Sequence, residues 1–172
     1  METHQFQLDQ NDWVPNNARL PIVVYRQAAE QKRDVAAAAF ETLFEANGWL
    51  PQWRDTVFDY HHYHSTAHEV LGAFSGSAKL MLGGPGGRLV ELAAGDALVL
   101  PVGTGHCRVE ATDDFRVVGA YPHGQDWDVC RDAPSLEALA RIASLAVPDL
   151  DPVIGTHGPF TPKGSKQARQ HV

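Results

Sequence analysis

The chain has 172 residues, of which 44% are hydrophobic and 20% charged, and its formal net charge is −7. That length fills one domain with a sizeable core, and the balance is that of a globular chain rather than a disordered one. The acidic charge argues against a nucleic-acid binder or an anionic-membrane binder, since both need a basic face.

Two cysteines, Cys107 and Cys130, are too few for a secreted disulfide framework, so free thiols in a reducing compartment are expected. No apolar run approaches the ~20 residues of a spanning helix. The opening Met1-Glu2-Thr3-His4-Gln5 lacks the regions of a signal peptide, which makes the cytoplasm the expected location.

Residues 4 to 8 and the β-branched run Leu20 to Arg26 read as short strands. The turn-rich segments Asp9 to Asp12 and Pro15 to Asn17 separate them. A helix follows, capped by Asp34, with Val35, Ala39, Phe40, Leu43 and Phe44 on one face and Asn47-Gly48 as its stop. From Trp53 to Tyr121 short apolar runs recur between turn signals, the pattern of an antiparallel sandwich or barrel. Strands are expected near 54–64, 68–74, 77–83, 88–93, 97–101, 106–111 and 115–121. The spacing of Leu136, Leu139, Ala140, Ile142 and Ala143 predicts a second helix over 135–146. An irregular tail ends the chain, with a weak basic cluster from Lys163 to Arg169 and its last residues expected to lack structure. The whole is expected to be one domain: strands and helix over 1–52, a β core over 53–125, and a helix with tail over 126–172.

Two segments carry the chemistry. Tyr60-His61-His62-Tyr63-His64-Ser65-Thr66-Ala67-His68-Glu69 packs four histidines and a glutamate into ten positions. Residues two apart on a strand share a face, so His62 and His64 point together with Phe58 and Tyr60, while His61 points away. Two imidazoles so placed hold a transition metal readily, and Glu69, returning after a small polar turn, adds a carboxylate. The competing pair is His64 and His68 at helical spacing, beginning like a zinc-protease motif. Gly72 stands where that motif needs a second histidine, and the surrounding Val, Phe and Tyr residues favour strand. The second segment is Gly95 to His106, a strand that ends at Pro101 in a glycine-rich turn.

The two segments together resemble the cupin superfamily. His62-x-His64, then Glu69 and Gly76, match its first motif after the leading glycine. Gly95, Pro101, Gly103 and His106 match the second, across an interval of 18 residues. The likeness extends to the small YjlB-like cupins through His68-Glu69-Val70-Leu71-Gly72, Val118-Gly119-Ala120-Tyr121-Pro122, Asp126-Trp127-Asp128 and Asp151-Pro152-Val153. The resemblance implies an all-β jelly-roll barrel with flanking helices and a divalent metal in one mouth, held by His62, His64, Glu69 and His106. Thr56 replaces the usual leading glycine, and Glu110 stands where an asparagine is common; neither removes a ligand.

Three imidazoles and a carboxylate suit Fe, Mn, Ni, Co, Cu or Zn as divalent ions, and Cys107 should point to the opposite face. Phe58, Tyr60, Arg108 and Glu110 are the candidate pocket-lining residues. Arg108 either pairs with a substrate carboxylate or sits on the rim, and Glu110 is either a base or the partner of Arg108. His68 is read as structural. Trp127 is expected to pack against the barrel. Gly83-Gly84-Pro85-Gly86-Gly87 lacks the Lys-Ser/Thr ending of a phosphate loop and reads as a hairpin loop. The functional expectation is a metal-dependent enzyme, dioxygenase- or isomerase-like, acting on a small polar molecule. The alternative is a metal-containing module that binds or senses a small ligand without turnover. The Leu20 to Arg26 run is a candidate for pairing two copies as a homodimer.

Overall fold

The computed structural model describes residues 1–29 and 33–162, the side chains of 33 and 34 excepted, so the capping role read for Asp34 and the basic cluster from Lys163 lie outside the described residues. In chain order the first elements are β1 (Glu2–Phe6), β2 (Ile22–Arg26), α1 (Arg33–Ala46), β3 (Trp49–Asp55) and β4 (Glu69–Ser75). There follow β5 (Ser77–Leu82), β6 (Arg88–Ala93), β7 (Ala97–Leu100), β8 (His106–Ala111), β9 (Arg116–Pro122) and α2 (Leu136–Ser144). The strands form two antiparallel sheets, one of order β1-β2-β7-β4-β9-β3 and one of order β6-β5-β8. The described residues are therefore mostly β with two helices. The sheets do not close into a barrel among the described residues.

Strand alternation sorts two cores. Leu71, Ala73, Leu98, Leu100 and Val117 of the large sheet face Leu80, Leu82, Val90 and Leu92 of the small one. The alternate residues Val70, Val99, Val118 and Ala120 face outward and are covered by Phe40 and Phe44 of α1, with Trp49 and Phe160. Gly72 lets the helix sit close, because a Cβ there would run into the Phe40 ring. The buried face of α1 is thus Ala36, Ala37, Phe40 and Phe44, while Val35 and Ala39 are exposed. A run of alanines carries little directional signal, so the large Phe side chains set the helix rotation. In α2, Ala138 and Ile142 are buried and Leu136 and Leu139 are exposed. Ser135 caps it by accepting from the Ala138 amide.

Two bulges redirect side chains. Pro51 has no N–H to give the ladder, and the β3–β9 register shifts between Pro51 and Trp53. Trp53 rather than Gln52 then stands opposite the inward-facing Gly119. In the β5–β8 pair the register shifts so that Leu80 opposes Arg108 and Lys79 opposes Glu110. The extra residue, Val109, turns Glu110 outward.

The strand expected over 54–64 ends at Asp55. Residues 56–68 run as an irregular segment, tied down by isolated bridges of His62 to His106 and of Tyr63 to Cys130. β2 has β1 on one side and β7 on the other, so the Leu20 to Arg26 run is internal and β1 is the sheet edge. Both cysteines are free. The Gly83–Gly87 loop joins the β5–β6 hairpin, as read from the sequence. No helix among the described residues is long and apolar enough to cross a membrane.

Candidate metal centre

The two histidine-bearing segments are paired through their backbones. The His62 amide donates to the His106 carbonyl at 3.2 Å and the His106 amide to the His62 carbonyl at 2.9 Å. The Gly103 amide reaches the His64 carbonyl at 2.8 Å. That turn needs glycine, since Gly103 has φ +89° and a Cβ would meet the Asn16 carbonyl oxygen at 2.8 Å. The bridge keeps His62 and His64 on one side, as strand parity required, although the segment is not a regular strand.

Ligand-capable nitrogens of His62, His64 and His106 all lie within 4.8 Å of one another, and all three residues are buried. Glu69 opens β4 on the inward side, with Leu71. Its Oε2 lies 3.2 Å from His64 Nε2 and its Oε1 lies 3.2 Å from His106 Nε2. The four residues named from the sequence as ligands therefore come together.

The protonation pattern follows from the partners. Nδ1 of His62 faces the Tyr60 carbonyl at 3.0 Å, Nδ1 of His106 faces the Thr104 carbonyl at 3.0 Å, and Nδ1 of His64 faces the Asp128 carbonyl. A carbonyl oxygen only accepts, so each Nδ1 carries the hydrogen and each Nε2 of a neutral ring is a bare lone pair. His64 Nε2 and Glu69 Oε1 are buried and make no hydrogen bond. Lone pairs and a carboxylate facing one another in a buried space call for a positive charge between them. The same demand shows in the titration. Burial pushes His62 down to about 3, with His106 adding to the effect. Burial also works against charge on His64, yet the Glu69 carboxylate outweighs it and holds that imidazole above its ordinary value. Glu69 is held well below the usual carboxylate range, the neighbouring histidines outweighing its burial. A divalent ion meets this requirement, and three imidazole nitrogens with one carboxylate form a donor set suited to transition metals.

Glu69 is itself held. The Tyr121 hydroxyl donates to Oε2 at 2.6 Å and accepts from Trp53 Nε1 at 2.9 Å. The segment after β9 is clamped over the site. Asp128 accepts from the Ser65 amide at 2.6 Å and from the Ser65 hydroxyl, and Thr66 donates to the Asp126 carbonyl at 2.6 Å. Between these clamps the Trp127 ring lies flat on Tyr121, with centroids 4.4 Å apart. A cavity of about 240 Å³ adjoins the cluster. Trp53, Thr56, Val57 and Phe58 line one part of it, and Leu71, Tyr121, Trp127 and Val129 another, with Asp55 also among its walls.

Of the four pocket candidates, only Phe58 lines this cavity, with 48% of its surface exposed. Tyr60 stacks on Phe58 and carries the Arg131 guanidinium 3.8 Å above its ring, because the chain bends at Asp59-Tyr60. Glu110 lies at the surface 3.5 Å from Lys79, a consequence of the Val109 bulge. Arg108 keeps the side of His106 but is half-buried outside the cavity lining, its Nε without a hydrogen bond. His68 is structural, as read: its Nδ1 accepts from the Val102 amide at 2.9 Å and its Nε2 donates to the Ala146 carbonyl at 3.1 Å.

Sequence reasoning missed Tyr121 and Trp53 as holders of Glu69; Trp127 packs on the sheet as read, stacked on Tyr121, and its place on the cavity wall was missed. The Asp126-Trp127-Asp128 pattern was the available signal for Trp127. Nothing local marks Trp53, since a bulge turns it inward.

No family model matches the chain. It is 37% identical over 161 residues to "Uncharacterized protein YjlB" of Bacillus subtilis (strain 168), an alignment spanning 92% of this chain and 94% of that protein.

Proposed function

The chain belongs to the family of Bacillus subtilis YjlB, and we propose that it is a metal-dependent oxidoreductase of the cupin type, acting on a small organic molecule. The observation that carries the reading is the convergence of three buried imidazoles, each fixed by a backbone carbonyl on its far side, with the Glu69 carboxylate 3.2 Å from two of them, His64 and His106. Two facing antiparallel sheets with the site between them support a jelly-roll architecture. His62, His64, Glu69 and His106 would hold one divalent transition ion, drawn from Fe, Mn, Ni, Co, Cu or Zn. Such an ion supplies Lewis acidity or, where it is redox-active, electron transfer.

The chain's own groups do the rest. The carbonyls at Tyr60, Thr104 and Asp128 orient the rings. Tyr121 holds Glu69 in place, and the aromatic walls exclude water. A choice between the two expected reaction classes follows from what lines the cavity. Isomerisation through an enediolate needs a general base beside the substrate. Apart from the four proposed ligands, the titratable lining groups are Asp55, which is exposed, and Tyr121. The Tyr121 hydroxyl already donates its proton to Glu69 and accepts from Trp53. Oxidation with dioxygen as co-substrate needs no such base, and it is the reading preferred here.

Metal analysis of protein purified without chelator tests the centre: about one equivalent per chain is expected, and less than about a tenth of one would remove it. Oxygen uptake by Fe(II)-loaded protein with a panel of small organic acids tests the reaction, the Zn(II)-loaded protein being silent. Uptake independent of the metal would overturn the oxidoreductase reading. The chain's net charge of −7 supports a small-molecule partner rather than nucleic acid or membrane. The exposed edge strand β1 offers a route to a homodimer.

A further inference from the structure

We infer that the ligand of this site is a compact, flat and largely apolar carboxylate, such as a single ring bearing one acid group, rather than a sugar, phosphate or polyhydroxylated acid. The inference rests on the metal-centre reading above for its acid end and on the cavity itself for the rest.

The walls are carbon. Trp53, Val57, Phe58, Leu71, Trp127 and Val129 line the cavity beyond the histidines. Phe58, Trp127 and Val129 keep 48%, 39% and 45% of their surfaces exposed, so the apolar wall continues out to the rim. Large apolar side chains left open around a cavity mark where an apolar partner is received. Two of the polar groups that could serve a hydroxylated ligand are already used. Trp53 gives its N–H to Tyr121, and the Tyr121 hydroxyl is occupied by Trp53 and Glu69. Among the described residues no lysine, arginine, asparagine or glutamine lines the cavity. A phosphate would meet the Asp55 carboxylate with no basic side chain to offset it, and a chain of hydroxyls would lose more water here than Asp55 and Thr56 can replace, which is costly.

Asp55 also lines the cavity, as an exposed residue that accepts from the Thr56 amide; the two other polar features define the head of the ligand. One is the His–Glu cluster, where a divalent ion less the Glu69 charge leaves a net positive charge suited to one carboxylate. The other is the Thr56 hydroxyl, which lines the cavity, is buried, and has no hydrogen-bond partner. It can serve one oxygen of a bound acid or a ring substituent. The size agrees: the cavity holds about 240 Å³, and a dry cavity of about 150 Å³ is enough for benzene. One substituted ring fills it.

The test is calorimetry on the full-length, Zn(II)-loaded chain with three probes: benzoate, acetate and gluconate. Acetate has the head without the body, and gluconate has a body of similar length made of hydroxyls. Benzoate should bind tighter than either by on the order of tenfold or more. Trp127→Ala and, separately, the rim change Val129→Asp should each weaken benzoate by on the order of tenfold while zinc stays at one per chain. Gluconate binding as tightly as benzoate, or both variants binding benzoate like the parent, would overturn the inference. The same titration on zinc-free protein, read by tryptophan fluorescence, separates the two readings. If zinc fails to bind but benzoate is still preferred over gluconate, the metal centre falls and the apolar site stands. If zinc binds at one per chain and the preference is absent, the apolar site falls and the metal centre stands.

Discussion

Single residues decide which histidines matter. His62 and His106 each spend Nδ1 on a backbone carbonyl and leave Nε2 to the cluster, whereas both nitrogens of His68 are spent on Val102 and Ala146. His62→Ala and His106→Ala are therefore expected to lose the bound metal. His68→Ala should keep it and instead lose about 2–4 kcal/mol of stability, because a buried ring and two hydrogen bonds disappear. Metal content and urea midpoints measured on the same three proteins check both halves; metal loss in His68→Ala alone would return the helical His64–His68 reading to favour. In the sequence, period-two alternation separates His62 and His64 from His61, and His68 is set apart only as the neighbour of Glu69, whose side chain points the other way. Tyr121 was not legible there. It meets Glu69 across a strand pair, 52 positions away in the chain, and no local pattern encodes such a meeting. Tyr121→Phe removes the donor to Glu69 and should weaken metal affinity by on the order of ten- to hundredfold, with the fold retained. A competition titration against a chelating dye reads it, and unchanged affinity would show that the Tyr121–Glu69 bond is idle.

At the scale of elements, the strands from β4 to β9 fall where turn chemistry and apolar runs put them, while the bulges were hidden. A bulge adds one residue and flips every later side chain, so parity counted along the sequence fails beyond it. That is why Glu110 was read inward and Trp53 was given no place. Trp53 reaches its position only because β9 has Gly119 opposite, where a Cβ would enter the indole ring. Gly119→Val should push Trp53 away, break its bond to Tyr121 and cost about 1–3 kcal/mol. The urea midpoint measures the cost, and a blunted fluorescence response to benzoate measures the disturbed wall. A variant as stable as the parent, with its benzoate response intact, would show that β3 yields freely and that the fit of glycine to tryptophan has no consequence.

Across the whole molecule, composition and the spacing of turns gave the β-rich class and both helices, but they could not show that the sheets stay apart. Closure depends on whether residues 56–68 continue a ladder, and that segment bends at Asp59-Tyr60 and meets β8 only through an isolated bridge. The open arrangement would give an ion at this site a mechanical role. Glu69 begins β4 in the large sheet, His106 begins β8 in the small sheet, and His62 and His64 lie on the segment that leads from β3 into β4 and bridges to β8 at His106. An ion held by all four would staple the two sheets at one end, and an unfolded chain has no such site. Folding and binding are then linked: metal at about a hundred times its Kd adds roughly 2.7 kcal/mol. For a chain of 172 residues that is a rise in Tm of roughly 5–10 °C. Dialysis against a chelator should lower the melting temperature by that amount, and returning one equivalent of metal should restore it. His106→Ala should melt at one temperature with or without chelator, because its two sheets can no longer be joined through the ion. A parent protein whose melting is untouched by chelator while its metal is demonstrably removed would mean that the sheets are held together by the apolar core between them alone, and that the four ligands take no part in the stability of the fold.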